Sequence, residues 1–214
     1  MISWSDEVGA ADWIVERLHP FGRDVGSLVP SGFAACCRVL HPVQPGIAAP
    51  GAAPRWRELA AAAGVELRAT TRFEALRSGA GGLATAPLTG TIAPATLARL
   101  LELLTGATTT PEACWLGFWD GFAGVGAPAG PRVAISERPL ALARGPIGSA
   151  FAAAGPPLHQ SPTLWWPDDR AWCVATEVDF HSTYVGGSAE LCRRLIDAAE
   201  LEALPVALNA HVTD

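Results

Sequence analysis

Leu164 to Ser188 reads LWWPDDRAWCVATEVDFHSTYVGGS, and the folding of this stretch decides what kind of sheet the protein has. Pro167-Asp168-Asp169-Arg170 has the composition of a tight turn, and the apolar residues on both sides predict a β-hairpin. The expected register sets Trp166 opposite Ala171 and Trp165 opposite Trp172; a two-residue loop at Asp168-Asp169 gives the same pairing. Side chains alternate across a strand. Trp172, Val174, Thr176, Val178 and Phe180 therefore share one face, and Cys173, Ala175, Glu177, Asp179 and His181 the other. The first set, with Trp165, is the expected core face, and a Trp165–Trp172 contact adds up to about 1 kcal/mol. Ser188 then caps a last helix running to about Ala199 and buried through Leu191, Leu195 and Ile196.

Outward from this stretch, the pattern mixes strands and helices without a regular alternation. A capped helix is expected after Ser5-Asp6, with Val8, Ala11, Ile14, Val15 and Leu18 on one face and His19-Pro20 as its stop. Residues 24–42 (DVGSLVPSGFAACCRVLHP) suggest a hairpin around Val29-Pro30-Ser31-Gly32. Pro42 to Pro54 is an expected surface loop, Arg55 to Ala63 a helix ended by Gly64, and Val65 to Thr70 a short strand. Pro94 opens the clearest helix, lined by Leu97, Leu100, Leu101 and Leu104 and ended by Gly106. Around Cys114 (CWLGFWDGF) both strand faces are apolar, the mark of a central strand. Residues 131–145 (PRVAISERPLALARG) give one strand or two, and residues 146–155 a short helix. The expected fold is α+β, an antiparallel or mixed β-sheet with helices packed against it, in a single domain over residues 1–214.

Composition narrows the chemistry. The net charge is −6, and the fifteen basic residues are all arginine. Without a basic stripe no nucleic-acid partner is expected, and without lysine neither Schiff-base chemistry nor a Walker-type phosphate loop is available. No apolar run approaches the roughly 20 residues of a membrane span, and the acidic N-terminus does not read as a signal peptide. A soluble cytoplasmic protein without membrane contact is expected, its oligomeric state left open. The five cysteines, Cys36, Cys37, Cys114, Cys173 and Cys192, are odd in number and lack C-x-x-C spacing. They read as core residues, with neither metal site nor cofactor expected. Gly121 to Pro131 contains a G-x-G, but its prolines break the helix a dinucleotide turn must enter.

The candidate site lies in the opening stretch. Residues two apart on a strand stand about 6.6–6.8 Å from one another, so Glu177, Asp179 and His181 are expected in a row. Such a row is either a solvated face paired with arginines such as Arg132, Arg138 or Arg144, or a metal or general-base site. Trp166 falls on the same face and Arg170 at the turn adds a cation, which together suit a protein partner or a small ligand. That makes a binding or protein-interaction domain the first reading. A metal-dependent or general-base hydrolase using Glu177, Asp179 and His181, with His159 or Cys173 added by the fold, is the second. Gly186, Gly187 and Ser188 are candidates for holding an anion through backbone N–H groups; a plain turn followed by an N-cap explains them as well.

Three segments, LVPSGFAACCRVLHP, CWLGFWDGF and LWWPDDRAWCVATEVDFHSTYVGG, in that order, resemble a family of uncharacterised proteins from high-GC bacteria. The likeness spans most of the chain. It implies a shared fold and, the family having no assigned activity, no transferable site.

Overall fold

The computed structural model describes residues 2–46, 53–80, 84–122, 124–135, 137–151 and 160–211. Within them the strands are β1 (Ser3–Ser5), β2 (Ala35–Leu40), β3 (Gln44–Pro45), β4 (Ala84–Thr85), β5 (Cys114–Trp119), β6 (Val133–Ile135), β7 (Arg138–Gly145), β8 (Leu164–Pro167), β9 (Cys173–Ala175), β10 (Ser182–Gly187) and β11 (Ala203–Pro205). The α-helices are α1 (Asp12–Val15), α2 (Trp56–Ala63), α3 (Arg77–Ala80), α4 (Pro94–Thr105) and α5 (Ala189–Asp197). Nine strands form one sheet in the order β1-β7-β5-β8-β9-β10-β2-β11, with β6 beside β1 on the outer edge of β7, and every pairing is antiparallel. The protein is α+β. No helix is long and apolar enough to cross a membrane among the described residues.

The sheet is covered on both faces. On one, α4 and α5 bury Leu97, Leu100, Leu104, Leu191 and Leu195 against Leu116, Phe118, Trp165, Trp172, Val174 and Val185. On the other, the segment around α1 brings Trp13, Ile14, Val25, Leu28 and Val29 onto Trp115, Trp166, Cys173, Ala175 and Tyr184. A third cluster packs α2, α3 and Phe73 against Leu40 and Val43. The helix ends follow their caps. Pro94 sits in the first turn of α4, Gly64 closes α2 at φ 67°, and Ser188 Oγ accepts from Leu191 N at 3.1 Å. Glu202 carries its carboxylate to the start of α2, accepting from Trp56 N (2.8 Å) and Arg57 N (3.1 Å). It thereby fills the place where a helix N-terminus attracts an anion.

The β8–β9 hairpin forms in a register two residues away from the expected one, with Leu164 opposite Ala175 and Trp165 opposite Val174. A slip of two preserves every face. Trp165 still meets Trp172, edge to face, with centroids 5.3 Å apart. The slip comes from the turn, whose acids are drawn outward. Asp168 reaches Trp115 Nε1 at 2.8 Å, and Asp169 accepts from Thr108 Oγ1 and from the Thr109 N–H and hydroxyl.

Three other expectations are corrected. The hairpin over residues 24–42 is absent: Val25–Ser27 is a 3-10 turn in which Ser27 Oγ donates to the Asp24 carbonyl at 2.6 Å, and β2 pairs instead with the distant β10 and β11. The helix after Ser5 is broken into a 3-10 turn at Val8–Ala11 and the four-residue α1, which turns Trp13 inward and leaves Val15 exposed. Val65 to Thr70 is not a strand, because the carbonyls of Ala69 and Thr71 turn to the buried guanidinium of Arg38 (2.9 and 2.8 Å). Residues 131–145 resolve into β6 and β7, joined through Glu137 at φ 61°.

Candidate functional site

The row Glu177, Asp179, His181 does not exist. β9 ends at Ala175. The chain then turns, with Phe180 N donating to the Glu177 carbonyl (3.1 Å) and Asp179 N to the Glu177 carboxylate (2.6 Å). Glu177 is buried and accepts from Arg138 Nε at 3.0 Å; the same guanidinium reaches Asp179 Oδ2 at 2.6 Å and lies 5.3 Å from the Trp119 ring centroid. Glu177 lines a cavity of about 20 Å³, space for about one water and too small for a substrate. His181 turns to a different cluster, where its ring meets Phe73 at 6.1 Å, and neither carboxylate bonds to it. The acids are thus an arginine-paired set. All three arginines named as partners are engaged this way: Arg132 with Asp120, Arg138 with Glu177 and Asp179, and Arg144 with Asp168.

Trp166 is not an exposed plate. It is 1 % exposed, stacked on Trp115 (6.4 Å, 17°) and met edge-on by Trp13 (6.4 Å). Its face of the sheet is covered by a segment more than a hundred residues earlier in the chain. Gly186 and Gly187 close β10 rather than forming a turn, and both are packed too tightly to cradle an anion. A Cβ on Gly186 would lie 2.5 Å from Phe33 and Val29 atoms, and one on Gly187 2.8 Å from Leu191. Ser188 is spent as the N-cap of α5.

Potential nucleophiles and bases are also committed. Burial pushes the Cys36 and Cys114 thiols up to about 12, with Cys192 and Asp168 respectively adding to the effect, and it raises Cys173 further. Thiols so held are poor nucleophiles. His41 is fully buried between the Leu88 carbonyl (2.8 Å) and Thr183 Oγ1 (2.9 Å). His19 pairs with Asp24 at 2.8 Å in the loop after α1, a pair the sequence reading missed because its two residues lie in an irregular segment. His159 lies outside the described residues. Among the described residues no three His, Cys, Asp or Glu side chains are grouped as metal ligands.

What the turn does present is Arg170. Its N–H closes the turn on the Pro167 carbonyl (2.9 Å), and its φ is 55°, the left-handed position that follows a type I turn in a short hairpin and is normally glycine. Its guanidinium lies 5.2 Å from the Trp13 centroid, and Arg17 of the turn after α1 lies 5.8 Å from the same ring. Both arginines are exposed, and neither makes an ion pair with a described residue. The neighbouring acids do not neutralise them. Asp168 is held by Trp115 and Arg144, and Asp169 by Thr108, Thr109 and Ala171. Burial works to raise the Asp169 carboxyl, but the Thr109 N–H and hydroxyl, with Thr108 and Ala171, outweigh it and keep the group below the usual carboxylate range. The Trp13 indole N–H, itself buried, has no acceptor among the described residues. Two exposed guanidiniums on one ring make a spot rich in donors and poor in acceptors. No protein-family model, curated protein or solved structure matches the chain.

Proposed function

We propose that the protein is a binding domain that docks an acidic segment of a partner protein on the clamp formed by Arg17, Trp13 and Arg170. One observation carries the reading: Arg170 occupies a left-handed backbone position at a cost of about 1 kcal/mol while its guanidinium, stacked on Trp13, faces solvent without a carboxylate. Backbone strain held by surrounding structure is characteristic of ligand-contacting positions. The ring fixes both guanidiniums at little further entropy cost, and each contact contributes about 0.5–1 kcal/mol at an exposed site. A carboxylate placed between them gains charge-assisted hydrogen bonds from both forks. On a chain of net charge −6 this local positive spot would orient an acidic partner rather than attract it from a distance. The free, buried thiols suit a reducing compartment such as the cytoplasm.

The test is titration of the folded protein with a glutamate-rich peptide, and separately with inorganic phosphate, followed through the Trp13 indole resonance. Salt-sensitive binding of the peptide to the wild type, weakened at least tenfold in Arg17→Gln/Arg170→Gln, supports the reading. Equal binding by both proteins, or a shift with phosphate alone, refutes it.

A further inference from the structure

The core between β2 and α5 holds a pair of thiols that anion docking does not involve. Cys37 projects from β2 toward α4 and α5, with Val185 directly opposite it on β10. Cys192 lies on the buried side of α5, its Sγ 3.9 Å from the Val185 carbonyl oxygen. The two side chains thus converge on the same rung of the ladder, close enough for each thiol to shift the titration of the other. We propose that Cys37 and Cys192 form a reversible disulfide, fastening α5 to β2, when the protein meets a small hydroperoxide.

The two sulfurs have different parts. The hydrogen bond to Cys192, and then burial, raises Cys37 well above the ordinary thiol range, so it keeps its proton. Cys192 receives that bond, which favours its thiolate and lowers it despite burial. The thiolate is the attacking species. Cys192 Sγ attacks one oxygen of the hydroperoxide, an S–O bond forms, the O–O bond breaks, and the departing oxygen takes up the proton that Cys192 gave up, leaving as an alcohol (water, from hydrogen peroxide). Cys37 Sγ then displaces the sulfenic oxygen: the S–S bond forms, the S–O bond breaks, and the Cys37 proton departs with the hydroxyl as water. Two thiols supply the two electrons that reduce one hydroperoxide. The oxidant must be small because Cys37 is 0 % and Cys192 3 % exposed. The other thiols are poorly placed. Cys36 and Cys173 flank Gly186 from opposite sides, about 9.5 Å apart at two strand spacings, beyond the roughly 7 Å a disulfide spans.

The experiment exposes the folded full chain to hydrogen peroxide, or to glutathione disulfide, and counts alkylatable thiols by intact mass after denaturation. Arginine-directed cleavage leaves Cys36 with Cys37 on one peptide and Cys173 with Cys192 on another, so serine variants assign the link. Peroxide is expected to remove two thiols reversibly with dithiothreitol, of the five in wild type and of those remaining in Cys36→Ser and Cys173→Ser, and none as a disulfide in Cys192→Ser. Glutathione disulfide should react far more slowly. Retention of all five thiols in the wild type, arrest at a sulfenic acid, or a cross-link persisting in Cys192→Ser overturns the proposal.

Discussion

Lowering the pH should destabilise this protein through one buried imidazole. His41 has no exposed surface. A carbonyl only accepts, so Nδ1 carries the proton and donates to Leu88 O; Nε2 accepts from Thr183 Oγ1, which in turn accepts from Thr176 Oγ1 at 2.9 Å. Protonating Nε2 reverses this chain and places a cation in the core. Burial chiefly, opposed by the Leu88 hydrogen bond and assisted by nearby His181 and Arg38, pulls His41 from 6.5 to about 4. The unfolded chain therefore binds this proton at higher pH than the folded one. Stability is present in full above 6.5 and is lost as pH falls toward 4. Linkage gives a loss of about 2 kcal/mol by pH 5 and about 3 kcal/mol by pH 4 from this residue. Carboxylates contribute their own slopes, so the assay is urea unfolding of wild type and His41→Gln at pH 7, 6 and 5. Glutamine offers a donor and an acceptor but does not titrate. The wild type should lose about 2 kcal/mol more than the variant between pH 7 and 5. Parallel stability curves, or an NMR titration of His41 near its ordinary value, would show that this imidazole does not drive the acid loss.

Other perturbations follow from the packing. Arg138→Met leaves the buried Glu177 without its guanidinium and should cost about 2–3 kcal/mol; Glu177→Gln in the same protein should recover part of it in urea unfolding. Gly186→Ala drives a methyl to 2.5 Å from Phe33 and Val29, with an expected loss of about 1–3 kcal/mol seen as a lower thermal midpoint. Ser188→Ala removes the hydrogen bond to Leu191 N and should cost about 1 kcal/mol, read from the denaturation midpoint.

The parts of the fold that the sequence discloses are those written in local chemistry. Pro94 and Gly106 bracket α4, Gly64 ends α2, Ser188 caps α5, and the alternation around Cys114 marks an inner strand. What it conceals depends on distant segments. Trp166 has the right parity for the face it occupies, yet Trp13, supplied by the chain's first turns, covers it. The strand expected through His181 stops after Ala175 because the Glu177 carboxylate captures the Asp179 N–H, a side-chain choice that alternation cannot encode. Arg170 was legible as a cation at a turn. Its companion Arg17 was not, since only the packing of α1 brings the two onto one indole.

Arg170→Gly separates fold from acidic-segment docking at one residue. Glycine relieves the left-handed strain but loses the contact to Trp13 and adds freedom to the unfolded chain, so stability should change by less than about 1 kcal/mol. Peptide titration and urea unfolding on the same sample give both quantities. The expected outcome is an intact fold with binding of the glutamate-rich peptide weakened at least tenfold. Undiminished binding, or a fold that collapses without Arg170, would contradict it.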